Sequence, residues 1–327
     1  MNNTEEADIL ALPKTDRKKR IVVLLLKIFV FFVIYVYLFQ KFDFSYLIDN
    51  LFKINLSWFY LSLIFAFAMY LVAGLRWKNV IDSMGEHLTL SSSVKIFFVG
   101  MFFSQFLLAS IGGDAIRIWL ATRKSLGFRI SFNSTFVDRL AGLATITIFM
   151  MFSFPAYYKV VSDQLALTSL IFLVISSILG IFVVLIFDKL PLLSRIRYFQ
   201  SSFGKISLDA RKVFLSIKNN LIVIGLSVVV LSLTCMVVFT MGHALGQSLP
   251  ILDYFIMIPP VMFITILPIS LGGWGLREGA MVIAFGFLGM KGETAILLSV
   301  WFGIVLIIAA LPGGFLWLFS KDLNQKI

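Results

Sequence analysis

A chain of 327 residues that is 60% hydrophobic and only 14% charged, with 35 Phe and a mean hydropathy of +0.98, reads as an integral membrane protein; soluble domains carry about 25% charged residues. Its net charge of +11 fits an excess of Lys and Arg on the cytoplasmic side of a membrane, so no nucleic-acid partner is expected. One cysteine, Cys235, inside an apolar run excludes a disulfide framework and a thiolate metal site.

Residues 1–20 form a polar tail ending in Arg17-Lys18-Lys19-Arg20. The apolar run 21–39 follows with no small-residue cleavage site before Gln40-Lys41, and reads as a first span that is retained. A second run, 55–75, ends in Arg76-Trp77-Lys78, an interfacial aromatic beside anchoring charges. The next apolar piece, 96–111, has only 16 residues, whereas about 20 helical residues are needed to cross about 30 Å of hydrocarbon. It leads into Ser110-Ile111-Gly112-Gly113-Asp114-Ala115-Ile116-Arg117. After Arg123, Lys124 and Arg129 a span is expected over 134–154, with Asp138 and Arg139 near its start.

The second half runs similarly. Spans at 166–187 and 220–242 flank a basic loop, 188–219. Residues 251–271 are apolar but broken by Pro259, Pro260 and Pro268, and lead into Ser270-Leu271-Gly272-Gly273-Trp274-Gly275-Leu276-Arg277-Glu278-Gly279. The apolar piece 280–290 is again too short to cross, and a last span, 294–319, precedes Lys321 and Lys326.

The two motifs align without gaps as S-I-G-G-D-A-I-R and S-L-G-G-W-G-L-R, 160 residues apart, one in each half. This is an internal repeat. If the motif-bearing pieces dip in and return, six spans remain and the charges sort by side. Twenty Lys and Arg fall inside: five before residue 21, three in 76–95, three in 123–129, seven in 189–218 and two at the end. Four fall outside: Lys41, Lys53, Lys159 and Lys291. The expected architecture is an all-α membrane protein with six spanning helices and two re-entrant broken-helix elements. These form two inverted repeats, 21–160 and 166–320, with both termini cytoplasmic in the cell membrane. Such repeats in transporters place the substrate site where broken helices meet near the midplane.

A glycine break inside the bilayer exposes backbone groups, and a restarted helix offers free N–H groups and the positive end of its dipole to an anion. Arg117 and Arg277 follow the paired glycines Gly112-Gly113 and Gly272-Gly273, and a guanidinium adds a donor fork suited to phosphate. Asp114, Arg117, Asp138, Arg139, Arg277 and Glu278 are embedded charges that by default mark a functional site. With Ser110 and Ser270 and the glycines they make up the candidate substrate site. The competing reading is structural ion pairing, for instance Asp114 with Arg117 one helical turn away; for Asp138 and Arg139 it is interfacial snorkelling. His87 and His243 have no companion at metal-ligand spacing, and no phosphate-binding P-loop is present, so no cofactor is expected.

The G-G-D-x-x-R stretch at 112–117, V-D-R-L-A-G-L at 137–143 and P-I-S-L-G-G-W-G-L-R-E-G at 268–279 resemble the flippase-like membrane-domain family, which includes the membrane part of lysylphosphatidylglycerol synthases. The resemblance extends over roughly 20 to 320. It implies movement of a lipid with a charged or modified headgroup between leaflets; the paired glycines each followed by Arg point to an anionic or zwitterionic lipid held by its phosphate. The synthases add a soluble aminoacyl-transferase domain after the membrane part; the present chain ends shortly after its last span, so no enzymatic activity is expected. Two alternatives stay open: a membrane enzyme acting on a lipid-linked phosphate, and a non-transporting partner of a lipid-pathway enzyme. Expected partners are the lipid substrate, anionic lipid against the basic loop, and a second copy of the chain or a lipid-synthesis enzyme.

Overall fold

The computed structural model describes residues 49–51, 53–106, 111–189, 197–266 and 275–319, and no strand occurs among them. Among the described residues the helices include, in order, α1 (Leu56–Ser83), α2 (Leu90–Phe106), α3 (Ile111–Lys124), α4 (Phe128–Val160), α5 (Gln164–Ile186), α6 (Arg197–Phe214), α7 (Ile217–Ala244), α8 (Ile251–Ile266), α9 (Leu276–Gly286) and α10 (Gly292–Phe319). Five helical segments, α1, α4, α5 with its 3-10 extension to Lys189, α7 and α10, are long and apolar enough to cross a membrane. They take up the last five expected spans; the first, 21–39, lies outside the described residues, as do Ser110, Ser270, Gly272 and Gly273.

Helix starts are fixed locally. The Asn55 carboxamide accepts from the N–H groups of Ser57 and Trp58 at the head of α1, and the Asp163 carboxylate does the same for Leu165 and Ala166 at α5. Each side chain satisfies N–H groups that no helical carbonyl reaches.

The centre of the molecule is the pair α1 and α7. Ser62 donates to the Val237 carbonyl, Thr234 to the Met69 sulfur and Arg76 to the Ser227 hydroxyl. Numbers rise on one helix as they fall on the other, so the two run antiparallel. Around this pair, α2 packs on α3 and α10, while α8 packs on α9 and α4. The helix α5 sits at the edge and buries only Leu167, Leu170 and Ser177, leaving an apolar outer face for lipid.

Four local expectations are corrected. Helix α1 does not end at residue 75 but runs to Ser83. Arg76 and Trp77, expected at the interface, are buried, because an apolar stripe at Ala73, Trp77, Val80, Ile81 and Met84 carries the helix on into the protein. Helix α8 runs through Pro259 and Pro260; adjacent prolines remove only two N–H donors, and both rings are buried against neighbouring helices. The basic loop contains α6, whose Ile206 is buried and whose Ala210 and Val213 pack with Val80 and Val137.

The fourth concerns the first glycine pair. Gly112 and Gly113 do not break a helix; both lie inside the first turn of α3. Gly113 instead marks a close crossing of α2: a Cβ there would meet Ser104 Oγ at 1.8 Å and the Gly100 carbonyl oxygen at 2.3 Å. Gly113→Ala is therefore expected to destabilise the chain by about 1–3 kcal/mol or more through overpacking. Gly225→Ala, where a Cβ meets nothing within 4 Å, should be neutral. Melting temperatures in detergent check this, and equal values for both variants would contradict the crossing.

Candidate functional site

Halfway along α1 and α7, beside the seam where they touch, lies a cavity of about 340 Å³. Met69 and Tyr70 from the middle of α1 line it, as do Val230 and Leu231 from the middle of α7. Polar side chains converge on it from seven helices: Arg76 on α1, Gln105 on α2, Arg117 on α3, Asp138 and Arg139 on α4, Ser227 on α7, Thr265 on α8 and Arg277 on α9. Phe97, Met101, Met262, Phe302 and Leu306 supply apolar wall. Four guanidinium groups and one carboxylate thus face one space.

The first-half charges form one continuous network. Arg76 Nε donates to Asp138 Oδ1 at 2.8 Å, and Arg117 donates to Asp138 Oδ2 at 3.1 Å. A second arm of Arg117 reaches Asp114 Oδ1 at 3.3 Å, and Arg139 Nε reaches Asp114 Oδ2 at 2.7 Å. The Arg117 side chain is 2% exposed. Its guanidinium lies 4.5 Å from the ring centroids of both Trp77 and Phe97, so two aromatic faces hold the plane of the fork. Gly100 makes this possible, since a Cβ there would fall 2.4 Å from Arg117 Cγ.

The second half builds a smaller version. Gly275 caps α9 with φ +84°, a backbone conformation that favours glycine. Its N–H donates to Glu278 Oε2. Arg277 Nε donates to Ser299 at 2.9 Å, while Glu278 Oε1 accepts from Ser299 at 2.8 Å and from Arg277 at 3.2 Å. The guanidinium lies 5.3 Å from the Phe302 ring centroid.

The predicted residues therefore separate. Arg117, Arg277, Asp138 and Arg139 meet at the cavity, although the two motif arginines are 160 residues apart. Asp114 and Glu278 stand behind the arginines as their partners. The start of α9, expected as an open anion site, is occupied by the chain's own Glu278. Arg117 lies in the second turn of α3 and Arg277 in the first turn of α9, so the two are not equivalent relative to their helix starts. Gly112 and Gly113 shape the approach of α3 to α2. Among the described residues no group of His, Cys, Asp and Glu has the makings of a metal site.

Arg76 is the residue that sequence reasoning missed. Its charge ends the apolar run at residue 75, and that made it look like a boundary. The buried stripe continuing through Val80 and Met84 was the available signal.

No curated protein matches the sequence. The family model described as the lysylphosphatidylglycerol synthase TM region matches residues 23–313. That match spans α1, α4, α5 and α7, most of α10 and every charged residue at the cavity, and the chain belongs to the family of lysylphosphatidylglycerol synthase transmembrane regions.

Proposed function

We propose that this chain moves a phosphate-bearing lipid between leaflets, with the headgroup held in the cavity beside α1 and α7 and the acyl chains left in the bilayer. One observation carries the reading: the arginines of both motif copies line a single cavity level with the middle of the two central helices. Guanidinium groups at that depth are costly unless they serve a site, and their donor forks suit phosphate oxygens.

The two halves are proposed to be inverted repeats with re-entrant elements at α2–α3 and α8–α9. Helices α1 and α7 begin at 56 and 217, α2 and α8 at 90 and 251, and α4 and α10 at 128 and 292, close to the motif spacing. Neighbours exchange in the same way. The pairs α2–α10 and α8–α4, α2–α3 and α8–α9, and α1–α10 and α7–α4 are each other's images. Because α1 and α7 are the equivalent helices and run antiparallel, the operation that relates the halves turns one over. A cavity on such an axis meets both leaflets on related terms, which suits alternating access. The positive-inside rule then places the termini and α6 in the cytoplasm. Moving Arg76 from the cytoplasmic set to the cavity leaves nineteen basic residues inside against the four outside.

A transporter is favoured over an enzyme because the three embedded carboxylates are tied up. Asp114, Asp138 and Glu278 accept from arginines on each side of the cavity, and Asp114 and Glu278 stand behind those arginines and are absent from the cavity lining, where a general base would have to reach the substrate. Purified full-length protein in vesicles should accelerate transbilayer movement of labelled phosphatidylglycerol or polyprenyl phosphate. Unchanged rates for every phospholipid and polyprenyl phosphate would contradict transport and put the partner-protein reading first.

A further inference from the structure

We propose that the cleft between α6 and the start of α4 is a docking site for an anionic phospholipid of the surrounding bilayer, separate from the central cavity. The proposal goes beyond the transport reading and does not depend on it.

Helix α6 lies across the ends of four membrane helices. Ser207 donates to the Val184 carbonyl near the end of α5, Arg211 to Asp188 in the 3-10 turn that follows, and Lys212 to the Met84 carbonyl just past α1. Asn133, in the second turn of α4, donates to Asp209, and Val213 shares a cluster with Val223 near the start of α7. The inward face of α6, Ile206, Ala210 and Val213, is buried. An outer stripe, Lys205, Leu208, Lys212 and Leu215, is exposed, and its spacing of three and four keeps it on one side of the helix. A stripe that met only water would be polar throughout. Here Leu208 and Leu215 are 51% and 66% exposed. Lysine alternating with leucine on a helix at the ends of membrane spans is the pattern of a helix seated at the headgroup boundary.

The stripe borders an open cleft of about 440 Å³, lined also by Arg129 from the first turn of α4. Of the four basic residues there, Arg211 pairs with Asp188 and Lys212 with the buried Asp209. Arg129 and Lys205 are exposed and have no acidic partner among the described residues. Two cations in excess next to two exposed leucines suit a phosphate that carries acyl chains. A soluble phosphate would use the cations and leave the leucines in water.

The test uses the full-length protein in detergent with a fluorescent dye on Ser125→Cys, an exposed position four residues before Arg129, in a Cys235→Ser background. Phosphatidylglycerol spin-labelled near the headgroup is the probe, and quenching of the dye reads occupancy of the cleft. The probe should quench at lower concentration than equally labelled phosphatidylcholine. Arg129→Gln combined with Lys205→Gln should weaken its affinity roughly 30-fold, about fivefold for each basic residue removed near an anionic headgroup. Both side chains are exposed, so the double variant should melt with the parent when no lipid is added. Quenching that survives the double variant, or that phosphatidylcholine gives equally, would overturn the site. Displacement of the probe by glycerol phosphate at matched concentration would overturn the lipid as its occupant. Arg117→Lys changes the central cavity and should leave the titration unmoved; an equal loss there would assign the signal to the cavity and overturn a separate site. No transport rate enters the measurement, so a chain that moves no lipid can still show the site.

Discussion

Replacing Asp138 by alanine is expected to destabilise the folded chain by about 3–5 kcal/mol, the penalty for removing one partner of a buried ion pair. Asp138 is 2% exposed and its two oxygens serve two different arginines. Losing it strands the Arg76 guanidinium, whose remaining hydrogen-bond partner among the described residues is the Ser227 hydroxyl, and leaves Arg117 with Asp114 as its carboxylate partner among them. Asp138→Asn keeps an acceptor at about the same place and should lie between alanine and the parent. Adding Arg76→Met to Asp138→Ala should recover part of the loss, because the stranded charge goes with it. Melting in detergent at fixed lipid-to-protein ratio measures all of these. A loss for Asp138→Ala under about 1 kcal/mol, the range of solvent-exposed pairs, would contradict a buried network.

Arg117→Lys and Arg277→Lys should each lower transport by roughly 10- to 100-fold, from the loss of one charge-assisted hydrogen bond worth about 1.5–3 kcal/mol. Lysine keeps the charge and loses the fork. At position 117 it also loses the planar group held between Trp77 and Phe97, and at 277 the joint hold on Ser299 and Glu278. Transport is to be compared at matched expression and melting temperature. Near-normal rates for both lysine variants would leave these arginines as structural ion pairs.

The long spans were legible because apolar runs of some twenty residues leave a helix as the one way to satisfy the backbone in lipid. The repeat was legible in the two glycine-arginine motifs, and with it the expectation that Arg117 and Arg277 belong together. Long-range pairing was not legible. Arg76 and Asp138 lie 62 residues apart, and no local pattern joins them. Gly113 looked like a chain break because paired glycines do break helices; only the approach of Gly100 and Ser104 from α2 shows that it is a contact point. In sequence α6 reads as loop because its charges dominate, although Ile206, Ala210 and Val213 repeat at helical spacing. Asp209 within it is buried and accepts from the Asn133 side chain on α4, which ties α6 to the helix carrying Asp138.

The central claim is that two arginines from opposite halves hold one headgroup, and a double-mutant cycle on transport tests it most directly. Arg117→Lys, Arg277→Lys and the double variant are measured with the same phosphatidylglycerol probe. Groups that act on one bound phosphate are strongly non-additive, so the double variant should be scarcely slower than the worse single. If the two losses instead multiply, each arginine acts at a place of its own and the shared site is wrong.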